Sequence, residues 1–192
     1  MKHPLIGLYS PHAQSGKTTA ALYLMYHMHG LRMSFADPMR EALIPIVAPF
    51  MPGGEDEVRE WFKDDRKDKA EVPGLGVTLR FLMQTLGTSW GRETIHPDVW
   101  ERITLVRSRL ERRHNPIILD DVRFENEYAM VKREEGLLVK IVRPDAAPSG
   151  NFWHKSEARL ENLPFDVEVV NDGSLEDLRA SMRRLAADHF GA

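Results

Sequence analysis

Leu5-Ile6-Gly7-Leu8-Tyr9-Ser10-Pro11-His12-Ala13-Gln14-Ser15-Gly16-Lys17-Thr18 is the stretch on which the fold turns. Residues 5–10 read as a buried strand, 11–15 as a loop, and about 16–29 as a helix with Gly30 as its C-terminal stop. A strand that runs through a loop into a helix gives Ser15-Gly16-Lys17-Thr18 its chemistry. Successive backbone N–H groups and the positive helix end surround an anion. In such a loop Lys17 reaches the β- and γ-phosphates of ATP, and Thr18 offers its hydroxyl to Mg²⁺. One position departs from G-x-x-x-x-G-K-[ST]: Pro11 stands where glycine is expected, and proline has no N–H and cannot take a positive φ. The loop entrance is therefore expected to differ, while the half that grips phosphate is intact.

Outward from the loop, short apolar runs alternate with helical segments. Residues 31–36, 116–119, 137–142 and 167–170 read as four more strands. Asp37-Pro38 looks like an N-cap with proline at the first helical position, and Pro45 and Pro49 limit or kink that helix. Thr78 caps a short helix over 79–86, which Gly87 ends. Pro97-Asp98 with Glu101 starts another, whose apolar face is Val99, Trp100, Ile103, Val106 and Leu110. A helix over 127–135 stops at Gly136, and Ser174 with Asp177 caps a last one to about His189. The alternation predicts an α/β fold: a three-layer αβα sandwich of the P-loop NTPase type around an about five-stranded, mostly parallel sheet. One domain spans residues 1–192, with a lid or substrate-binding insert around 51–95.

The insert changes character. Pro52-Gly53-Gly54 opens it, Pro73-Gly74-Leu75-Gly76 closes it, and residues 55–71 are dense in both signs of charge. Such a run is either a solvated helix plus loop or a mobile lid that carries cations to a phosphate.

Ile117-Ile118-Leu119-Asp120-Asp121 is an apolar strand ending in carboxylates, the place where a P-loop protein sets its second magnesium-organising acid. That acid acts through water, because Mg²⁺ keeps several waters. Spacing alone does not choose between Asp120 and Asp121. Transfer between two anions also needs cations for donor and acceptor and a cover that excludes water. Arg66, Lys67, Lys69, Arg80, Arg92, Arg123 and Arg143 lie in the insert or at strand ends.

Five stretches resemble the deoxynucleoside monophosphate kinases of tailed bacteriophages, within the nucleoside monophosphate kinase-like P-loop group. They are Ser15-Gly16-Lys17-Thr18-Thr19; Phe35-Ala36-Asp37-Pro38-Met39-Arg40; Arg80-Phe81-Leu82-Met83-Gln84-Thr85-Leu86-Gly87-Thr88 with Gly91-Arg92; Asp121-Val122-Arg123-Phe124-Glu125-Asn126-Glu127; and His154-Lys155-Ser156-Glu157 with Asn171-Asp172-Gly173-Ser174. Phosphomevalonate and dephospho-coenzyme A kinases share parts of this plan. The resemblance implies transfer of the γ-phosphoryl of ATP to a deoxynucleoside 5′-monophosphate, with Mg²⁺. It implies that Ser15, Gly16, Lys17, Thr18 and Thr19 hold ATP, with Asn171 and Gly173 near adenine. Thr18 and Asp121, the latter through water, serve the metal. Lys17, Arg66, Arg123 and Asp37 take catalytic roles, and Asp37, Arg40, Arg80, Gln84, Arg92 and Arg123 bind the acceptor. Gln84 offers both donor and acceptor to a base edge. Asp37 is equally read as the plain N-cap of its helix.

Bulk properties bound the rest. The chain has 192 residues, a formal net charge of −3 and no cysteine. Disulfides, thiolate catalysis and cysteine-bound zinc are excluded, and no stable nucleic-acid binding is expected from a net acidic chain. No apolar run approaches the length of a membrane span, so a cytoplasmic protein is expected, in the host cytoplasm if phage-encoded. Among the tryptophans, Trp61, Trp90 and Trp153 are candidates to stack on a base, and Trp100 reads as core. The histidines show no metal-ligand spacing, so no structural zinc is expected. An apolar face on the 98–113 helix permits a homodimer. The other functional class open to such a loop is a nucleotide switch or DNA-handling ATPase. The acidic charge, the small size and the absence of Asn-Lys-x-Asp stand against it.

Overall fold

Five parallel strands form the sheet: β1 (Leu5–Tyr9), β2 (Leu31–Met33), β3 (Ile117–Leu119), β4 (Leu137–Val142) and β5 (Val167–Val170). Their spatial order is β2-β3-β1-β4-β5, and all four pairings are parallel. The computed structural model describes residues 2–12, 14–144 and 160–192. Trp153 and the His154-Lys155-Ser156-Glu157 stretch lie outside the described residues.

The helices are α1 (Lys17–His27), α2 (Asp37–Val47), α3 (Gly54–Lys63), α4 (Arg66–Lys69), α5 (Leu79–Gln84), α6 (Val99–Glu111), α7 (Glu125–Arg133) and α8 (Leu175–Phe190). Strand side chains alternate between faces, which makes two apolar layers. Ile6, Leu8, Ile118, Val139, Ile141 and Val169 pack with Ala20, Ala21 and Leu24 of α1 and with Leu178, Met182 and Leu185 of α8. On the other face Leu5, Tyr9, Ile117, Leu119 and Leu138 pack with Tyr128, Met130 and Val131 of α7. This is the αβα sandwich expected from the alternation. No helix among the described residues is long and apolar enough to cross a membrane.

The chain divides into two units, residues 1–35 with 105–192, and residues 36–104. The first holds the sheet, α1, α7 and α8. The second is helical and has its own core of Ile44, Val47, Met51, Val58, Trp61, Val72 and Leu79. The insert expected over 51–95 falls inside this second unit.

Several local expectations are corrected. Asp37 is not an N-cap: Ala36 holds that position, no side chain caps α2, and the Asp37 carboxylate accepts from Arg40 at 2.6 Å. Gly87 does not end its helix. The backbone runs on from α5 into a π-helical stretch, Thr85–Ile95. The C-terminal end of α1 is taken by His29 at φ 50°, not by Gly30. On α6 the buried residues are Trp100, Glu101, Thr104 and Ser108, followed just past its end by Arg112, whereas Val106 and Leu110 are exposed. Hydrogen bonds make that polar stripe tolerable where they are satisfied: Ser108 Oγ donates to the Leu105 carbonyl, and Arg112 to those of His3 and Glu134.

Candidate active site

The loop after β1 enters α1 through two left-handed residues, Gln14 at φ 57° and Gly16 at φ 91°. Glycine takes this conformation without steric penalty. No side chain caps α1, and its first turn, which begins at Lys17, holds no acidic residue. The positive end of the helix is thus left with backbone donors and a lysine, a donor set suited to an anion. Ser15 is buried and Thr18 exposed. The loop is fastened from behind by Asn171, whose buried side-chain Nδ2 donates to the Ser15 carbonyl at 2.8 Å.

The β3 end stands beside this loop because β3 and β1 are paired, Gly7 opposite Leu119. The pairing outlasts the strand, since Val122 N donates to the Leu8 carbonyl at 3.2 Å. The two carboxylates divide. Asp120 is buried and accepts from Arg32 Nε at 2.5 Å. Asp121 is half-buried and accepts from Ser34 Oγ at 2.5 Å and from the Phe35 backbone N–H at 2.8 Å. Asp120 is thus engaged by the Arg32 cation, whereas Asp121 accepts from a hydroxyl and a backbone N–H. Arg123, two residues after Asp121, is also half-buried, and its backbone N–H donates to Glu127 Oε2 at 2.8 Å.

The remaining candidates lie in the second unit. Arg40 pairs with Asp37. Arg80 Nε donates to Asp68 at 2.6 Å. Arg66 grips Asp64 through Nε and Nη2 and lies 5.6 Å from the Trp61 ring centroid. Arg92 Nη1 donates to the Gly87 carbonyl at 3.2 Å, the same carbonyl that accepts from Trp100 Nε1 at 2.9 Å. Gln84, half-buried, ends α5. The charged run is largely self-paired, Arg59 with Glu55, Lys63 with Glu60 and Lys69 with Asp65. Among the tryptophans, Trp61 and Trp100 are buried and Trp90 is half-exposed.

Residues 65–182 match the family model described as deoxynucleotide monophosphate kinase. The chain belongs to that family. A relative named putative deoxynucleotide monophosphate kinase, from Acanthamoeba polyphaga mimivirus, is 32% identical over 178 residues, which is 85% of this chain and 86% of the relative. The dephospho-CoA kinase of Campylobacter jejuni superposes with a TM-score of 0.52 over 97% of both chains at 12% identity, which establishes a common fold.

For a deoxynucleotide monophosphate kinase, the stretch matched by the family model includes Arg80, Gln84, Arg92, Asp121, Arg123 and Asn171. The phosphate loop precedes it in sequence. Some contacts around these candidates do not follow from residue type. Arg32 and Ser34 look like ordinary residues of a strand edge, and only the β2–β3 pairing brings them to Asp120 and Asp121. Glu127, expected only as the start of its helix, lies in the first turn of α7, which begins two residues earlier; it is 2% exposed and its carboxylate gathers the N–H groups of Arg123 and Phe124.

Proposed function

We propose that this deoxynucleotide monophosphate kinase takes the γ-phosphoryl of ATP held at residues 15–19 and passes it to the 5′-phosphate of a deoxynucleoside monophosphate. An acceptor phosphate oxygen bonds to the γ-phosphorus as the bridge to the β-phosphate breaks, giving the deoxynucleoside diphosphate and ADP. The observation that carries the donor half is the uncapped start of α1 behind left-handed Gly16, with Lys17 as the first helical residue.

The acceptor phosphate is ionised at neutral pH, so positioning and charge neutralisation supply the catalysis rather than a general base. Lys17 holds the transferred group, and Gly16 to Thr19 bind phosphate through the backbone. Thr18 and, through water, Asp121 are the residues that would hold Mg²⁺; the pairing of Asp120 with Arg32 supports choosing Asp121. Bound there, the ion neutralises charge on the phosphate oxygens. Arg123 is a phosphate ligand. Asp37, Arg40, Arg80, Gln84 and Arg92 serve the acceptor, with Arg92 oriented by the Gly87 carbonyl. Arg66 is the lid arginine, and Asp64 and Trp61 are its partners in this structure.

A panel of monophosphates with ATP and Mg²⁺, read as ADP release, tests the function. Turnover is expected with deoxynucleoside monophosphates. Turnover with dephospho-coenzyme A or phosphomevalonate alone would replace the acceptor, and slow hydrolysis with none of them would replace the kinase by a switch. For the lid, Arg66→Ala is expected to lower kcat at least tenfold. The melting temperature should move little, as for a substitution at a solvent-exposed side chain. Equal turnover in the two proteins would return residues 55–71 to a solvated helix.

A further inference from the structure

Three contacts converge behind the phosphate loop. Asn171 Nδ2 donates to the Ser15 carbonyl at 2.8 Å. A Cβ at Gly16 would lie 2.5 Å from that same Nδ2 and 3.0 Å from Leu178 Cδ2, so the amide occupies the space left by the missing side chain. Asn171 is itself held, being 7% exposed with its backbone N–H donating to the Val142 carbonyl at 2.7 Å. It follows the last residue of β5, while Leu178 lies in the first turns of α8, which is started by the mutual hydrogen bonds of Ser174 and Asp177. The junction between strand and helix therefore grips the loop from both of its ends.

The acceptor at this contact is a carbonyl oxygen, so the amide must present its N–H₂ and not its oxygen. In a trans peptide the C=O and the following N–H point in opposite directions. A hydrogen bond that draws the Ser15 carbonyl toward Asn171 turns the Gly16 N–H the other way. The left-handed Gly16 then passes this orientation on to the start of α1 at Lys17.

We propose that Asn171 is a positioning residue for the donor phosphates: it sets the Ser15–Gly16 peptide plane and hence the direction of the loop's N–H groups, rather than reading the adenine ring. The inference rests on the loop being the nucleotide-phosphate site. It makes phosphate affinity depend on Asn171 and base preference independent of it.

The test is binding of ATP, GTP and inorganic tripolyphosphate, which has no base, to the full chain by calorimetry, with Mg²⁺ and steady-state KM values in parallel. Asn171→Ala is expected to weaken all three ligands about tenfold, the scale of one lost hydrogen bond. The ratio of ATP to GTP affinity should stay as in wild type, and the acceptor KM should change less than about threefold, well under the donor effect. Asn171→Asp should be worse than alanine, because a carboxylate would face the carbonyl oxygen. Met182→Ala, in the same apolar layer of α8 but away from the loop, controls for stability: it should lower the melting temperature and leave tripolyphosphate affinity unchanged. Should Asn171→Ala fail to fold, Asn171→Ser removes the contact with a smaller change, since its hydroxyl is too short to reach Ser15. Loss of ATP affinity with tripolyphosphate affinity intact would make Asn171 a base reader and overturn the proposal. Unchanged affinity for all three ligands would do the same. Wild-type protein that bound neither ATP nor tripolyphosphate would instead sink the phosphate-site reading on which it stands.

Discussion

At the residue scale the site depends on side chains and on one missing side chain. Lys17→Ala removes the only side-chain cation in the loop sequence 11–19, and transfer is expected to fall by at least a hundredfold, the scale of losing one charge-stabilising group. Lys17 is half-buried and not part of the apolar core, so the melting temperature should change by no more than a couple of degrees. Near-normal turnover in that variant would disprove the site. Gly16→Ala tests the backbone. Alanine at φ 91° costs on the order of 1–3 kcal/mol, and its Cβ would meet Asn171 at 2.5 Å. A lowered melting point together with lost ATP binding is expected, read by thermal denaturation and calorimetry. The placement of Lys17 and Thr18 at the start of α1 and of the Asp120-Asp121 pair at the end of β3 was legible, because apolar runs and polar junctions alternate there. The separate partners of the two carboxylates were not legible, because Arg32 and Ser34 approach them from β2 and the residue after it.

The elements show where spacing rules hold and where packing overrides them. The Thr78 cap was readable and is present, its Oγ1 accepting from the Phe81 N–H at 3.1 Å. The end of that helix at Gly87 was misread. Gly87 is buried, Gly91 lies where a Cβ would come within 2.5 Å of Trp100 Nε1, and the Gly87 carbonyl takes hydrogen bonds from Trp100 and Arg92. The missing side chain at Gly91 lets the indole come close to the backbone, and the space at Gly87 is taken by Met39 Sδ, so both glycines sit inside a π-helical stretch that a helix-stop rule does not foresee. Trp100→Phe keeps the ring and removes the indole donor. It is expected to destabilise by about 0.5–1.5 kcal/mol, the net contribution of one hydrogen bond, since Arg92 still donates to the Gly87 carbonyl, and to raise the acceptor KM through Arg92. Denaturant melts and acceptor kinetics together check this; a fall in stability with an unchanged KM would detach Arg92 from the acceptor. The α6 reading held for Trp100, which is buried, and failed for Val106 and Leu110, which face solvent while Thr104 and Ser108 are buried.

Over the whole molecule, one buried carboxylate ties the chain together at the edge away from the loop. Glu134 is 6% exposed, and a hydrogen bond from Arg109, reinforced by the charges of Arg109, Lys2 and Arg112, holds its carboxyl below the ordinary range against the opposing effect of burial. A depressed folded-state pKa means the unfolded chain binds the proton more readily, so the stabilisation is present above the unfolded pKa near 4.3 and is lost as pH falls through the folded value. Glu134→Gln should therefore flatten the loss of stability below about pH 5, measured as denaturant midpoints across pH, with Arg109 and Arg112 left to repel. A slope identical to wild type would show that the carboxylate titrates alike in both states.

The sequence by itself determined the αβα class, the five strands and the loop that turns into α1 through Gly16, because buried parallel strands must be continuous apolar runs and a left-handed turn into a helix demands glycine beside the lysine. Tertiary structure alone decided what stands behind that loop. Asn171 is 156 positions from Ser15, and no local pattern couples them. Only the order β1-β4-β5 and the docking of α8 against α1 carry the amide to the carbonyl it holds.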